Sequence, residues 1–160
     1  MKVKSRSFKL SVLNALCLSP RQHLTQYFKI QNQAFDTADF VSVVGELRRR
    51  IRRPIIVVWD NLGAHKAAQK FFQLQNKPGF EFEFLPPYSP ELNPVEPSWS
   101  QSKYGDLPNF TPEDIDELEQ AVCQSLRKQR GKQALLRSFF QAAELKLERS
   151  AKPKRKPSKK

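Results

Sequence analysis

The chain has 160 residues, a net charge of +12 and a sequence pI near 10. This length suits one domain with an ordinary core, and the charge makes nucleic acid or an anionic membrane surface the expected partner. No apolar run is long enough to span a bilayer and no apolar signal core follows the charged N-terminus, so we exclude an integral membrane protein and expect a cytosolic location. Cys17 and Cys123 lie far apart and are interpreted as two reduced core thiols.

The first third of the chain predicts a hairpin followed by a helix. Residues 8–18 and 23–30 contain apolar alternation on either side of a turn, which indicates two paired strands. Residues 37–52 place apolar side chains at helical spacing, so a helix with one buried face is predicted there. Asp36 or Thr37 is expected to cap its start.

A second group of elements follows Pro54. Residues 55–59 form a continuous apolar, β-branched run, which predicts a central strand buried on both faces. A helix over residues 64–75 and an alternating strand over residues 80–85 come next. Three further helices are predicted: one beginning near Pro94 or Val95, one over residues 112–130 capped by Thr111, and one over residues 132–147.

This order of elements predicts an α/β fold in which a mixed sheet is flanked by helices on both faces. The folded domain is expected to occupy residues 1–148. Residues 149–160 are expected to form a basic, disordered tail, because residues 152–160 hold six lysines or arginines and no apolar side chain.

Asp60 directly follows the apolar run and is therefore expected at the C-terminal end of a central strand, where ligand sites of open α/β sheets collect. Asp-Asn before Gly63 is equally good turn chemistry, and the pattern alone does not decide between a functional and a structural role.

Glu96 is the second candidate. A helix N-terminus stabilises any carboxylate in its first turn, so Glu96 alone would be interpreted structurally. Paired with Asp60, however, it could help to hold Mg²⁺ or Mn²⁺ for phosphoryl transfer.

Two blocks of sequence resemble the DDE transposases of the IS630 and Tc1/mariner-like elements. Asp60-Asn61 with His65 resembles the signature that follows the family's second catalytic aspartate. Residues 85–99, LPPYSPELNPVEPSW, closely resemble the block around the family's third acid, and Lys103 matches a lysine beyond it. The long block is highly specific, and weaker resemblance extends over nearly the whole chain except the tail.

The resemblance implies an RNase H-like fold in which Asp60 and Glu96 are the second and third members of an acidic triad that binds two Mg²⁺ or Mn²⁺ ions. The family's first aspartate lies on an opening strand upstream of the hairpin. We expect that strand to be missing here and the domain to be N-terminally truncated, because the hairpin starts at about Phe8 and leaves no room for it. Asp36 and Asp39 are rejected as substitutes because they fall at the start of a helix. The resemblance implies DNA as the partner, at transposon ends and target sites. The missing strand makes the product of an upstream reading frame a second expected partner, and the sheet edge that it exposes could pair with a second copy of the chain.

Other residues of the matching blocks are assigned supporting roles. His65 could orient Asp60, approach a phosphate or simply pack the helix start, and a supporting role is favoured. Asn61 could bond the loop or reach a site water, and Asn93 is expected to cap the Glu96 helix. The cations considered for DNA contact are Arg48, Arg49, Arg50, Arg52, Arg53, Lys103, Lys152, Lys154, Arg155 and Lys156.

The sequence is therefore compatible with two functions. The chain is the catalytic part of a transposase that cleaves and joins DNA in association with the nucleoid, or it is a catalytically inactive, basic DNA-binding or regulatory remnant of one. An upstream reading frame that carries a strand-borne aspartate would favour the first.

Overall fold

The structure is a computed structural model that describes residues 8–147. Its strands are β1 (Ser11–Leu18), β2 (Leu24–Gln31), β3 (Ile55–Trp59) and β4 (Phe80–Phe84). Its α-helices are α1 (Thr37–Ile51), α2 (Gly63–Leu74), α3 (Val95–Ser100), α4 (Ile115–Arg130) and α5 (Gln133–Ala142). A 3-10 turn, Pro90–Leu92, precedes α3, and a π-helical turn, Gln101–Asp106, follows it. The predicted α/β class is confirmed.

The strands form two separate sheets among the described residues. β1 and β2 pair antiparallel, as predicted, with Ser11 opposite Gln31 and Leu18 opposite Leu24. β3 and β4 pair parallel, with Ile55 opposite Phe80. The predicted single mixed sheet is therefore wrong for residues 8–147, because neither pair hydrogen-bonds to the other.

β3 is buried on one face only, which corrects the prediction of a central strand. Val57 and Trp59 face a core formed with α1 and α2, whereas Ile56 and Val58 are 64% and 59% exposed. The helices cover a single face of the two-stranded sheet, so the other half of an apolar run remains open to solvent. Two hydrophobic cores result, one around Trp59 and Phe72, and one between the hairpin and α5.

α1 begins as its sequence predicts. Asp36 caps it, accepting a hydrogen bond from the Asp39 N–H at 2.9 Å, while the Asp39 carboxylate accepts from the Asp36 N–H at 3.2 Å. Hydrogen bonds from Gln31 and Lys29 lower the pKa of Asp39 below its usual value. These bonds attach the start of α1 to the end of β2.

Two helix boundaries differ from the prediction. α4 begins three residues later than expected because Asp114, not Thr111, accepts the capping bond from the Glu117 N–H, at 2.8 Å. α5 ends at Ala142, well before residue 147, because Glu144 takes a left-handed conformation with φ of 58°. The Leu145 N–H then bonds back to the Phe140 carbonyl at 2.9 Å, which closes the helix.

No helix among residues 8–147 has both the length and the apolar character that a membrane span requires. Cys17 and Cys123 are free thiols, as predicted, but both are half-buried and not core residues. The predicted disordered tail at residues 149–160 lies outside the described residues.

Candidate functional site

Asp60 stands where β3 ends, with its side chain 59% exposed. Its Oδ1 atom accepts a hydrogen bond from the Leu62 N–H at 3.0 Å and lies 2.7 Å from Nδ1 of His65. The bond to Leu62 is the turn that the structural interpretation predicted. It engages one carboxylate oxygen, so the exposed side chain can present the other to a ligand.

His65 is held rigidly beside Asp60. Its ring stacks on Trp59, with centroids 4.6 Å apart and planes within 5°. Phe40 of α1 meets the same ring edge-on at 4.4 Å. With only 13% of its side chain exposed, His65 is fixed by packing and directs Nδ1 at the aspartate. These contacts fit the favoured supporting role.

The loops after β3 and β4 are tied together at this end of the sheet. The Asn61 side-chain amide donates to the Leu85 carbonyl at 2.7 Å, and the Leu85 N–H donates to the Trp59 carbonyl at 2.8 Å. Because the strands are parallel, both loops leave the same sheet edge. Asn61 thus bonds the loop, which was one of its two expected roles.

An open cavity of about 300 Å³ lies between these loops. Its lining residues are Asp60, Asn61, Leu62, Leu85, Pro86, Tyr88, Ser89, Pro90 and Asn93. Tyr88 was not singled out from the sequence. Its backbone is left-handed, with φ of 58°, and its side chain is fully exposed at the cavity wall. The proline-rich block thus forms one side of a groove whose other side carries Asp60.

Glu96 lies in the first turn of α3 and is exposed. Asn93 prepares that turn: its side-chain oxygen accepts from the Val95 N–H at 3.1 Å, and its carbonyl accepts from the Glu96 N–H at 3.0 Å. The N-cap of α3 is Pro94 and not Asn93 as predicted, but Asn93, one residue earlier, accepts N–H bonds of the first turn while also lining the cavity. Glu96 itself does not line the cavity, so its pairing with Asp60 stays a prediction.

A buried polar cluster that the sequence analysis missed anchors α3. The hydroxyl of Ser98, two residues beyond Glu96, donates to the Gln129 side chain of α4 at 2.7 Å and accepts from Asn14 of β1 at 3.0 Å. Ser98 and Gln129 are completely buried. Helical periodicity could have indicated this cluster, because Ser125 and Gln129 lie on the same buried face of α4 as its apolar residues.

The donor chemistry at Asp60 and Glu96 fits a divalent cation. Exposed carboxylates supply the hard oxygen ligands that Mg²⁺ and Mn²⁺ prefer. Within residues 8–147, no group of three His, Cys, Asp or Glu side chains is gathered closely enough to hold an ion. The two acids thus fit as part of a ligand set.

The cations considered for DNA contact are dispersed. Residues 48–53 lie where α1 ends and β3 is about to begin, at the opposite end of the sheet from Asp60. Lys103 is exposed in the π-helical turn, with its ammonium 5.1 Å from the centre of the Tyr104 ring. Lys152, Lys154, Arg155 and Lys156 lie outside the described residues.

One protein family matches the chain over most of its length. The profile of the DDE superfamily endonuclease family matches residues 1–119, a stretch that contains both Asp60 and Glu96. Because the match covers well over half of the sequence, the chain belongs to the DDE superfamily endonucleases. Endonucleases of this superfamily act on DNA and generally use divalent metal ions. Among curated proteins, no match to the chain was found.

Proposed function

We propose that the chain is part of the catalytic domain of a DDE transposase of the IS630 and Tc1/mariner-like type, with an RNase H-like fold. It acts on nucleoid DNA, cleaving a phosphodiester at the transposon end so that the freed 3′-OH can be joined to target DNA. The observation that carries this proposal is the exposed Asp60 carboxylate, which lies at the end of β3 in a groove walled by the LPPYSPELNP block.

The residues of the groove have distinct tasks in this proposal. Asp60 and Glu96 would hold two Mg²⁺ or Mn²⁺ ions, which supply activation of the attacking oxygen and stabilisation of the leaving oxygen. His65 would orient Asp60 by engaging Oδ1, and the second oxygen of this exposed carboxylate would bind the ion. Asn61 keeps the loops after β3 and β4 together, and Asn93 fixes the helix turn from which Glu96 projects.

The family resemblance calls for a third carboxylate on a further strand. We place that strand against the hairpin or the β3–β4 pair, since each of these is a two-stranded sheet among the described residues and has unpaired edges. The proposed source is the product of an upstream reading frame. A second copy of the chain could pair with the same edges, and sedimentation analysis with and without the upstream product distinguishes these partners.

The rival function, a catalytically inactive DNA-binding or regulatory protein, uses the basic surface without the acids. The position of the arginines of residues 48–53 favours this second function, because they lie away from Asp60. The two functions differ in one measurable property, because only the enzymatic proposal requires Asp60 and Glu96 to bind metal.

Calorimetric titration of the purified chain with Mn²⁺ tests the proposal. We expect binding that Asp60→Ala and Glu96→Ala each weaken at least about tenfold, with circular dichroism spectra unchanged. Glu91→Ala is the matched control, because Glu91 is an exposed carboxylate in the same loop. Equal Mn²⁺ affinity in all four proteins would refute the assignment of Asp60 and Glu96 as metal ligands.

A further inference from the structure

Arginines concentrate at the end of the β3–β4 sheet that is remote from Asp60. α1 ends at Ile51 and β3 starts at Ile55, so the intervening segment lies at the N-terminal end of β3. The turn before β4 reaches the same edge, since the Ile55 N–H bonds to the Gly79 carbonyl at 3.0 Å. Lys77 in that turn adds a further positive charge.

One arginine of this group has a structural role. The guanidinium of Arg48 lies directly against Gly79, where an added Cβ would fall 2.9 Å from Nε. Gly79 also has a φ of +85°, which L side chains rarely adopt. Arg48 therefore packs the turn between α2 and β4, and its neighbours remain to form the surface.

Those neighbours line a shallow groove. Arg49, Arg50 and Arg52 surround a volume of about 550 Å³ together with Tyr27 and Glu46. Arg50 is paired with Glu46 and lies 5.9 Å from the centre of the Tyr27 ring.

Three arginines of this edge are available to a ligand. Arg49, Arg52 and Arg53 are exposed, and within residues 8–147 none of them forms a salt bridge. Their planar guanidinium groups match phosphate oxygens in a bidentate geometry.

The lengths of β3 and α1 give the distance between this groove and the candidate site. β3 rises about 3.3 Å per residue, so the four steps from Ile55 to Trp59 span roughly 13 Å. α1 rises about 1.5 Å per residue, so the ten residues from Phe40, which touches His65, to Arg50 span roughly 15 Å. The arginines therefore lie too far from Asp60 to contact the same phosphate.

We propose that Arg49, Arg52 and Arg53 form a second DNA-binding surface, which holds the phosphate backbone at least about four base pairs from the groove at Asp60, given about 3.4 Å per base pair. The inference rests on the proposed function for the identity of the polyanion. It assigns these arginines to retention of DNA and not to the reaction.

Neutralising the three arginines in the full-length chain tests the surface. The variant carries Arg49→Gln, Arg52→Gln and Arg53→Gln. The matched control carries Lys70→Gln, Lys128→Gln and Lys132→Gln, which are exposed elsewhere. Each triple variant lowers the net charge by three, from +12 to +9. Affinity for a 20-base-pair duplex of random sequence is measured against salt concentration in the presence of EDTA.

We expect the arginine variant to bind about tenfold or more weakly near 0.1 M salt and to lose up to about 2.7 from its log–log salt slope, at about 0.9 per phosphate contact. The control should change both quantities much less. Equal losses in the two variants would show that net charge alone governs binding and would overturn the proposal. Arginine-dependent binding to phosphatidylserine vesicles without an effect on duplex binding would overturn it in favour of a membrane surface.

Mn²⁺ titration of the arginine variant separates this inference from the proposed function. Unchanged Mn²⁺ affinity is expected, since the arginines are remote from Asp60. If wild-type protein binds no Mn²⁺ while the arginine variant loses DNA affinity, the metal-site proposal fails and the DNA-binding surface stands. If Mn²⁺ binds and DNA affinity is unchanged in the variant, only the surface fails.

Discussion

The Nδ1 atom of His65 lies 2.7 Å from the Oδ1 atom of Asp60, and the imidazole ring is stacked on Trp59, the residue that ends β3. The aspartate, its histidine partner and the aromatic support thus come from two adjacent elements. A strand end and the first turn of the following helix α2 supply all three. Phe40 of α1 adds an edge-on contact to the histidine ring from a more distant part of the chain.

We therefore expect His65→Ala to weaken Mn²⁺ binding about tenfold, because partners of metal ligands typically contribute tenfold to a hundredfold to affinity. His65→Asn should recover part of the loss, since its amide nitrogen can occupy the place of Nδ1. A purely structural role predicts that both variants lower the melting temperature and that neither changes the Mn²⁺ affinity of the folded protein. Lys66→Ala, at an exposed neighbouring position, serves as the control.

The purified 160-residue chain is expected to show no strand cleavage or joining of transposon-end DNA with Mg²⁺ or Mn²⁺. Two-metal phosphoryl transfer requires both ions to be fixed about one phosphate, and the resemblance assigns part of their ligation to a further aspartate. Adding or fusing the upstream product that we propose to carry this aspartate should produce cleavage, and Asp60→Ala or Glu96→Ala should abolish it. Metal-dependent cleavage by the chain alone, lost in Asp60→Ala, would contradict this prediction.

Removal of residues 149–160 should weaken sequence-independent binding to duplex DNA. Residues 152–160 contain six lysines or arginines and no acid, and each phosphate they neutralise adds roughly 0.9 to the salt slope. Fluorescence anisotropy over a range of salt concentrations measures both affinity and slope. Should the truncated and intact chains agree in both, the tail has no part in DNA binding.

Gln129→Ala should destabilise the protein by about 2–4 kcal/mol, because it opens a cavity and removes the acceptor of the buried Ser98 hydroxyl. The Gln129 amide donates to Ser102 at 2.8 Å and its oxygen accepts from Ser98 at 2.7 Å, with Gln129 fully buried. Urea denaturation measures the change in unfolding free energy. Gln124→Ala, at an exposed position of the same helix, should cost far less.

Cys17 should make the free energy of unfolding fall between pH 9 and pH 11. Burial raises the pKa of Cys17 from 9.0 to about 11, so the folded state holds the thiol proton more tightly than the unfolded state does. Its contribution is complete below pH 9 and is lost as the pH rises through 11, by at most about 3 kcal/mol. Urea denaturation at both pH values should show a smaller fall in Cys17→Ala. An equal fall in Cys17→Ala and Cys123→Ala would exclude this origin.

Local physics explains most of what the sequence determined. The strand–strand–helix–strand–helix–strand order follows from periodicity, and Asp36 caps α1 because its side chain needs only the N–H of Asp39. Asp60 contacts Leu62 and His65, which are close to it in the sequence. Sequence reasoning could therefore predict the half of the site that surrounds Asp60. The specific block over residues 85–99 likewise indicated the DDE superfamily, to which the match over residues 1–119 assigns the chain.

Tertiary structure alone decided the rest, because long-range pairing and burial are not encoded in any single segment. An apolar run such as residues 55–59 has no means of specifying how many partners its strand acquires, and the structure leaves Ile56 and Val58 exposed. The anchor of α3 is a hydrogen bond between Ser98 and Gln129, which are 31 positions apart. The arginines of residues 48–53 lie at the opposite end of the sheet from Asp60 because α1 ends next to the start of β3. Only the tertiary structure shows this arrangement.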